Sequence, residues 1–181
     1  VPNIPLWADQ SMLEKIIFNI LSNAMKVTPD SGAINIDLLS RDDLFVLPLV
    51  SETEPIKVIE IIISDTGPGL EKEQTKRIFE RFYQVENLNK TYYGGTGIGL
   101  EVVQNFVRLH KGNIKVESKL GEGTTFRILL PAGKEHFSEQ ELVTEVTSAT
   151  SLKERFVPTV NTEPAKEAIS TDEKISKSYT V

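Results

Sequence analysis

The chain has 181 residues, 39% of them hydrophobic and 25% charged, with a net charge of −6, enough for one globular domain with residues to spare. It carries no cysteine and only two histidines, which excludes a disulfide framework or a Cys-based redox site and weighs against zinc. The acidic balance weighs against a nucleic-acid surface, and no apolar run approaches the ~18 residues of a membrane span.

Val1-Pro2-Asn3 has neither an initiator Met nor a leader pattern and reads as the start of a fragment. Asp9 precedes an apolar-periodic run from Met12 to Val27 and Pro29 follows it, which predicts a first helix. Ala33 to Leu39 alternates through Ile34, Ile36 and Leu38 and predicts a strand. Residues 41–55, with Asp42-Asp43, Pro48 and Pro55, predict a loop or ragged hairpin, long for its purpose. Ile56 to Ser64 is β-branched and of buried character. Glu71 to Phe82 predicts a helix, and residues 83–96 a long polar, aromatic and glycine-rich loop. Ile98 to Lys111 predicts another helix, which Gly112 is placed to close. Strands at Asn113–Ser118 and Thr124–Leu130 follow, joined by Gly121-Glu122-Gly123. Residues 1–133 thus form the expected domain. Residues 134–181, rich in Ser, Thr, Glu and Lys, are expected to be a linker or tail toward a further domain.

Three segments carry chemistry. On a wheel of roughly 100° per residue, the first helix puts Asn19, Asn23 and Lys26 in one sector, with Leu13, Ile16, Ile17, Ile20, Leu21 and Ala24 on the other side. Amide oxygens suit a hard cation such as Mg²⁺ that keeps several waters, and lysine suits phosphate as a point charge. A merely solvated helix face has the same composition. Asp65 ends the buried strand and opens Thr66-Gly67-Pro68-Gly69. An aspartate there often caps a turn. It also accepts the exocyclic N–H of adenine and repels the carbonyl of guanine, a charged hydrogen bond worth roughly 1.5–3 kcal/mol. The third segment, Gly94-Gly95-Thr96-Gly97-Ile98-Gly99-Leu100, ends where a helix begins, where unpaired N–H groups face anions. It is not a Walker loop, because Leu100-Glu101 follows Gly99 instead of Lys-Ser/Thr. Nor is it a dinucleotide fingerprint, because Lys90-Thr91-Tyr92-Tyr93 is a poor buried strand.

Together these segments resemble the ATP-binding catalytic domain of bacterial sensor histidine kinases, in the gyrase–Hsp90–histidine kinase–MutL group. Asn19-Ile20-Leu21-Ser22-Asn23-Ala24-Met25-Lys26 is similar to that family's N box, and Asp65-Thr66-Gly67-Pro68-Gly69-Leu70 to its first glycine box. Ile78-Phe79-Glu80-Arg81-Phe82 resembles the F box, and Gly95-Thr96-Gly97-Ile98-Gly99-Leu100 the second glycine box. Gly121-Glu122-Gly123-Thr124-Thr125-Phe126 resembles the closing strand motif, so the match spans about residues 8–131.

The resemblance implies an α+β fold: a two-layer sandwich of Bergerat type, with a mixed, largely antiparallel sheet, helices on one face and a mobile ATP lid. It implies ATP and Mg²⁺ as cofactors, with Asn23 on the metal, Asn19 supporting it and Lys26 touching phosphate. Asp65 would bind the adenine amine, with Gly67, Gly69 and Thr124 lining the base. Residues 83–96 would be the lid, with Gly95 among the cofactor-binding residues, and Gly97, Gly99 and Leu100 its phosphate-side hinge. Phe79 and Phe82 fit either core anchors under the lid or a docking point for the phosphoacceptor helix. Hydrolysing relatives carry a glutamate where this chain has Asn19, and an amide cannot act as a base. That favours transfer to histidine over water or serine, so a serine kinase or ATPase of the group is the weaker reading, beside a non-catalytic ATP-binding regulatory module. Glu14 does not replace the missing glutamate, being on the opposite side of the helix. Val27 and Gln84 depart from the family's usual flanking aromatic and phosphate-reaching arginine. Neither His110 nor His136 stands in the family's acceptor setting. The implied partners are a histidine-bearing dimerisation hairpin of the same protein and a response regulator or receiver domain. The implied location is the cytoplasmic side of a bacterial inner-membrane sensor.

Overall fold

The computed structural model describes residues 6–85 and 96–142, with the backbone alone at 42–44. Gly95 and most of the lid segment lie outside the described residues. Helix α1 (Gln10–Val27) starts where expected, because the Asp9 carboxylate accepts the Met12 N–H at 2.8 Å. Strand β1 (Ile34–Phe45) runs further than its alternation predicts and breaks register between Arg41 and Phe45. Strand β2 (Ile56–Asp65) follows, then α2 (Lys72–Arg77), opened by a reciprocal capping box of Glu71 and Gln74. The predicted helix to Phe82 stops at Arg77: the Glu80 N–H turns back to the Arg77 carbonyl at 2.8 Å, and the Phe82 N–H meets the Gly97 carbonyl at 2.8 Å, with Phe82 at φ 64°. Helix α3 (Gly99–Leu109) leads into β3 (Asn113–Lys119) and β4 (Gly123–Pro131). The left-handed residue after α3 is Lys111, at φ 56°, and not the expected Gly112. Gly112 is there for a different reason: a Cβ would stand 2.5 Å from the Leu129 carbonyl.

The strands form a four-stranded sheet in the order β1-β2-β4-β3, every neighbour antiparallel. Among the described residues the mixed character is confined to an isolated parallel bridge between Leu6 and Gly133. The Lys134 ammonium lies 5.3 Å from the Trp7 ring centre beside that bridge.

Alternation assigns the faces. Ile61 and Ile63 of β2, with Phe126, Ile128 and Leu130 of β4, turn toward α1 and α3 and meet Ile16, Ile20, Val103 and Val107. The opposite face holds a smaller cluster, Leu47, Val58 and Leu129. Leu47 comes from the 46–55 connection, which folds over that face, so its length has a packing purpose. The same face carries Glu60, whose side chain is 5% exposed and bridges Arg41 at 2.6 Å and Arg127 at 3.1 Å. Its hydrogen bond is the first cause holding the Arg127 guanidinium above its ordinary value. Glu60→Gln leaves two arginines facing a neutral amide. The expected loss is about 1.5 kcal/mol, the lower end of the charged range because both arginines are partly solvated. Denaturant titration would read it, and an unchanged midpoint would refute it.

Residues 134–142 lie against the end of α3. Lys111 Nζ donates to the His136 carbonyl at 2.7 Å and meets Glu141 at 3.0 Å. Ser138 and Lys111 hold the Glu141 carboxyl down to about 2.

Candidate functional site

The apolar rows that cross the sheet end in a polar one. Val116, Phe126, Ile63 and Ile36 form one cross-strand row, and the next row toward the sheet edge is Ser118, Thr124, Asp65 and Ile34. Asp65 and Thr124 therefore occupy core-facing positions where the core runs out, each 8% exposed. The Asp65 carboxylate accepts the Gly67 N–H at 2.8 Å, and the Thr124 backbone N–H also bonds to it. Burial nevertheless outweighs these bonds and pushes its pKa up. An open depression of about 300 Å³ lies at this end of the sheet; it is bordered by Asp65, Ser118, Lys119 and Thr124, and also by Glu117 and Thr125 of the other face.

Helix α1 connects this row to the second glycine segment. A Cβ on Gly67 would stand 3.0 Å from Val27 Cγ2, and one on Gly99 would stand 2.7 Å from Asn19 Oδ1. Asn19, Asn23 and Val27 follow at i, i+4 and i+8, one stripe about 12 Å long at 1.5 Å per residue. Its ends are thus pinned at the two glycine boxes, with Asn23 midway. The Asn19 amide nitrogen donates to the Lys15 carbonyl at 2.8 Å. Among the described residues the Asn23 amide has no hydrogen-bond partner. Lys26 is exposed one turn further on. The depression beside Asp65 does not itself take in Asn19, Asn23, Lys26, Gly97 or Gly99.

The glycines have protein reasons. Gly69, at φ 68°, would drive a Cβ to 2.0 Å from the Lys119 carbonyl oxygen, and Gly123 would drive one to 1.9 Å from that of Asp65. The first glycine box is therefore closed onto the β3–β4 turn, which the Gly121 N–H to Pro68 carbonyl bond at 2.7 Å reinforces. Gly97, at φ 67°, lies against the Phe82 backbone. Residues 82 and 97 thus clamp the stems of the segment between them. Leu100 packs its side chain on the core. Phe79 is a core anchor, edge-on to Phe126 at 6.5 Å, whereas the Phe82 side chain is 64% exposed, with the Arg81 guanidinium 5.1 Å from its ring centre.

One polar link was invisible in the sequence. His110 caps α3 with Nδ1 donating to the Phe106 carbonyl at 2.7 Å, while its Nε2 accepts the Asp9 N–H at 3.0 Å. An imidazole that accepts at one nitrogen and donates at the other is neutral.

The Histidine kinase-, DNA gyrase B-, and HSP90-like ATPase family model matches residues 8–134. The chain belongs to this family. Histidine kinase P4 of Formosa agariphila is 35% identical over 145 residues, covering 78% of this chain and 10% of that protein. The autoinducer 2 sensor kinase/phosphatase LuxQ of Vibrio vulnificus is 37% identical over 139 residues, covering 77% of this chain and 15% of its own length. Among solved structures, full-length ShkA in complex with AMPPNP superposes with a TM-score of 0.55 at 27% identity, over 73% of this chain and 23% of that one. The chain therefore spans only 10–15% of these curated relatives. It has the Bergerat-type α/β sandwich of histidine kinase ATP-binding domains. No helix among the described residues is long and apolar enough to cross a membrane.

Proposed function

We propose that this domain binds Mg-ATP and transfers the γ-phosphoryl group to a histidine on a separate dimerisation hairpin, in two-component signalling. The observation that carries the reading is the α1 stripe, which spans from the Asp65 row to the start of α3. Its length suits a nucleotide with its base at Asp65 and Thr124 and its phosphates toward Asn19 and the N-terminus of α3. Among the described residues no group of three acidic, His or Cys side chains is placed to cage a cation. A Mg²⁺ held by phosphates, water and the unpartnered Asn23 oxygen fits that donor set, with Lys26 at the phosphates. The metal would neutralise phosphate charge. The chain's own part is to hold the base, align the phosphates and leave the transfer to an incoming imidazole. An N–P bond forms, the γ-phosphate's bond to the β-bridging oxygen breaks, and ADP departs.

Asn19 supports histidine transfer over hydrolysis, since its amide nitrogen is held by the Lys15 carbonyl and no base stands in its place. The exposed Phe82 supports a docking role toward the hairpin, and a response regulator or receiver domain completes the proposed route. A regulatory module would bind ATP and transfer nothing. Mixing the domain with its histidine hairpin and γ-labelled Mg-ATP is expected to label the hairpin, and absence of label despite ATP binding refutes the transfer. Asn23→Ala is expected to weaken nucleotide binding about tenfold with Mg²⁺ and little without it, the size of one charge-assisted contact. Equal losses by calorimetry with and without the metal contradict the role given to Asn23. The cytoplasmic face of a bacterial sensor protein is the proposed location.

A further inference from the structure

Ser118 lies in the polar row beside Thr124, and its hydroxyl has three partners. It accepts the Leu70 N–H at 2.8 Å, donates to the Gly123 carbonyl at 2.9 Å, and lies 3.0 Å from Thr124 Oγ1. A serine has one hydrogen to give. With that hydrogen on Gly123, the contact with Thr124 is a hydrogen bond only if Thr124 donates. The Thr124 proton is then committed to Ser118, and its oxygen has only lone pairs left to offer a ligand. Asp65, the adjacent residue of the row, also presents acceptors when ionised.

We propose that Ser118 is a positioning residue for base selection: by taking the Thr124 proton, it makes Thr124 and Asp65 a pair of acceptors that admits 6-aminopurines and rejects 6-oxopurines. The inference rests on the nucleotide reading above and extends it to a residue on β3. A purine 6-amino group offers two hydrogens to such a pair. A 6-oxo group brings lone pairs against lone pairs. The N1–H beside it can satisfy only one of the two acceptors, so a buried acceptor stays unpaired, the arrangement that discriminates most strongly. Ser118 also ties the Leu70 amide of the first glycine box to the closing strand, so acceptor pair and loop are set by one hydroxyl.

The test measures ATP and ITP affinity of the full chain by displacement of a fluorescent nucleotide. Wild type is expected to prefer ATP. In Ser118→Ala the Thr124 hydroxyl is released to donate toward an oxo group, and the ATP-to-ITP preference is expected to narrow about fivefold, the worth of one neutral hydrogen bond. A role confined to packing lowers both affinities by the same factor, and an unchanged ratio overturns the proposal. Thr124→Val supplies a second reading that leaves Ser118 in place. Removal of an acceptor narrows the preference, whereas removal of a donor widens it, so a widened ratio also overturns the proposal. Wild type that binds neither nucleotide defeats the underlying nucleotide reading. Wild type that binds ATP, with both variants keeping its ratio, defeats the Ser118 role alone.

Discussion

Asp65→Asn is expected to weaken ATP binding by roughly ten- to a hundredfold, the worth of one charged hydrogen bond, while the domain stays folded. The carboxylate is buried at the end of the core rows, and burial holds its pKa above the ordinary carboxyl range despite the Gly67 and Thr124 bonds. A raised folded pKa means that the folded state binds the proton more tightly than the unfolded chain does. Its contribution to stability is then present below the ordinary carboxyl pKa and is lost as the pH rises through the folded value. At neutral pH the ionised group opposes folding, so a neutral amide of the same shape is expected to melt within a few degrees of wild type. ATP affinity of the wild type is expected to fall on acidification, with a midpoint above that of an ordinary aspartate. Calorimetric titration across pH, with melting curves for the variant, reads both effects. Unchanged nucleotide affinity in Asp65→Asn removes Asp65 from the site.

Gly69→Ala is expected to destabilise the fold by about 2–5 kcal/mol, from a left-handed backbone costing roughly 1–2 kcal/mol and an overlap costing about 1–3 kcal/mol. Its Cβ would stand 2.0 Å from the backbone oxygen of Lys119, which no side-chain rotation relieves. Gly121→Ala is the control, because Gly121 has φ 82° but open space around its Cβ position. It is expected to lose only the conformational part, about 1–2 kcal/mol. Denaturant midpoints separate the two. If Gly69 is required by a bound base instead, Gly69→Ala keeps its stability and loses only affinity, and the close approach to Lys119 is wrong.

Both cases show which parts of the molecule were legible in the sequence. Periodicity identified the buried side of α1 because Ile16, Ile20 and Ala24 recur at helical spacing, and Asp9 marked its start by a cap that is local. Position Asp65 was legible because a lone carboxylate ends an apolar strand. The reason for Gly69 was not, since Lys119 is its obstacle and sequence spacing does not reveal a contact across the fold. The early end of α2 was hidden for a similar reason: beyond the turn at Glu80 the chain goes to Gly97, a partner on the far side of the loop. Ser118 was read as an ordinary strand residue. Only register brings it into a row with Thr124 and Asp65. His110 needed a partner 101 positions away before its role as a neutral tie appeared.

The parallel bridge between Leu6 and Gly133 has a mechanical consequence. Where these residues meet, the chain comes in and goes out side by side and in the same direction. Opposed tension on the two flanks therefore slides the segments past each other instead of peeling them apart. The load falls first on that bridge, on Lys134 over Trp7 and on the Asp9–His110 bond. The last of these joins the cap of α1 to the end of α3, so a pull at the entrance reaches α1 and α3 together with the end of β4.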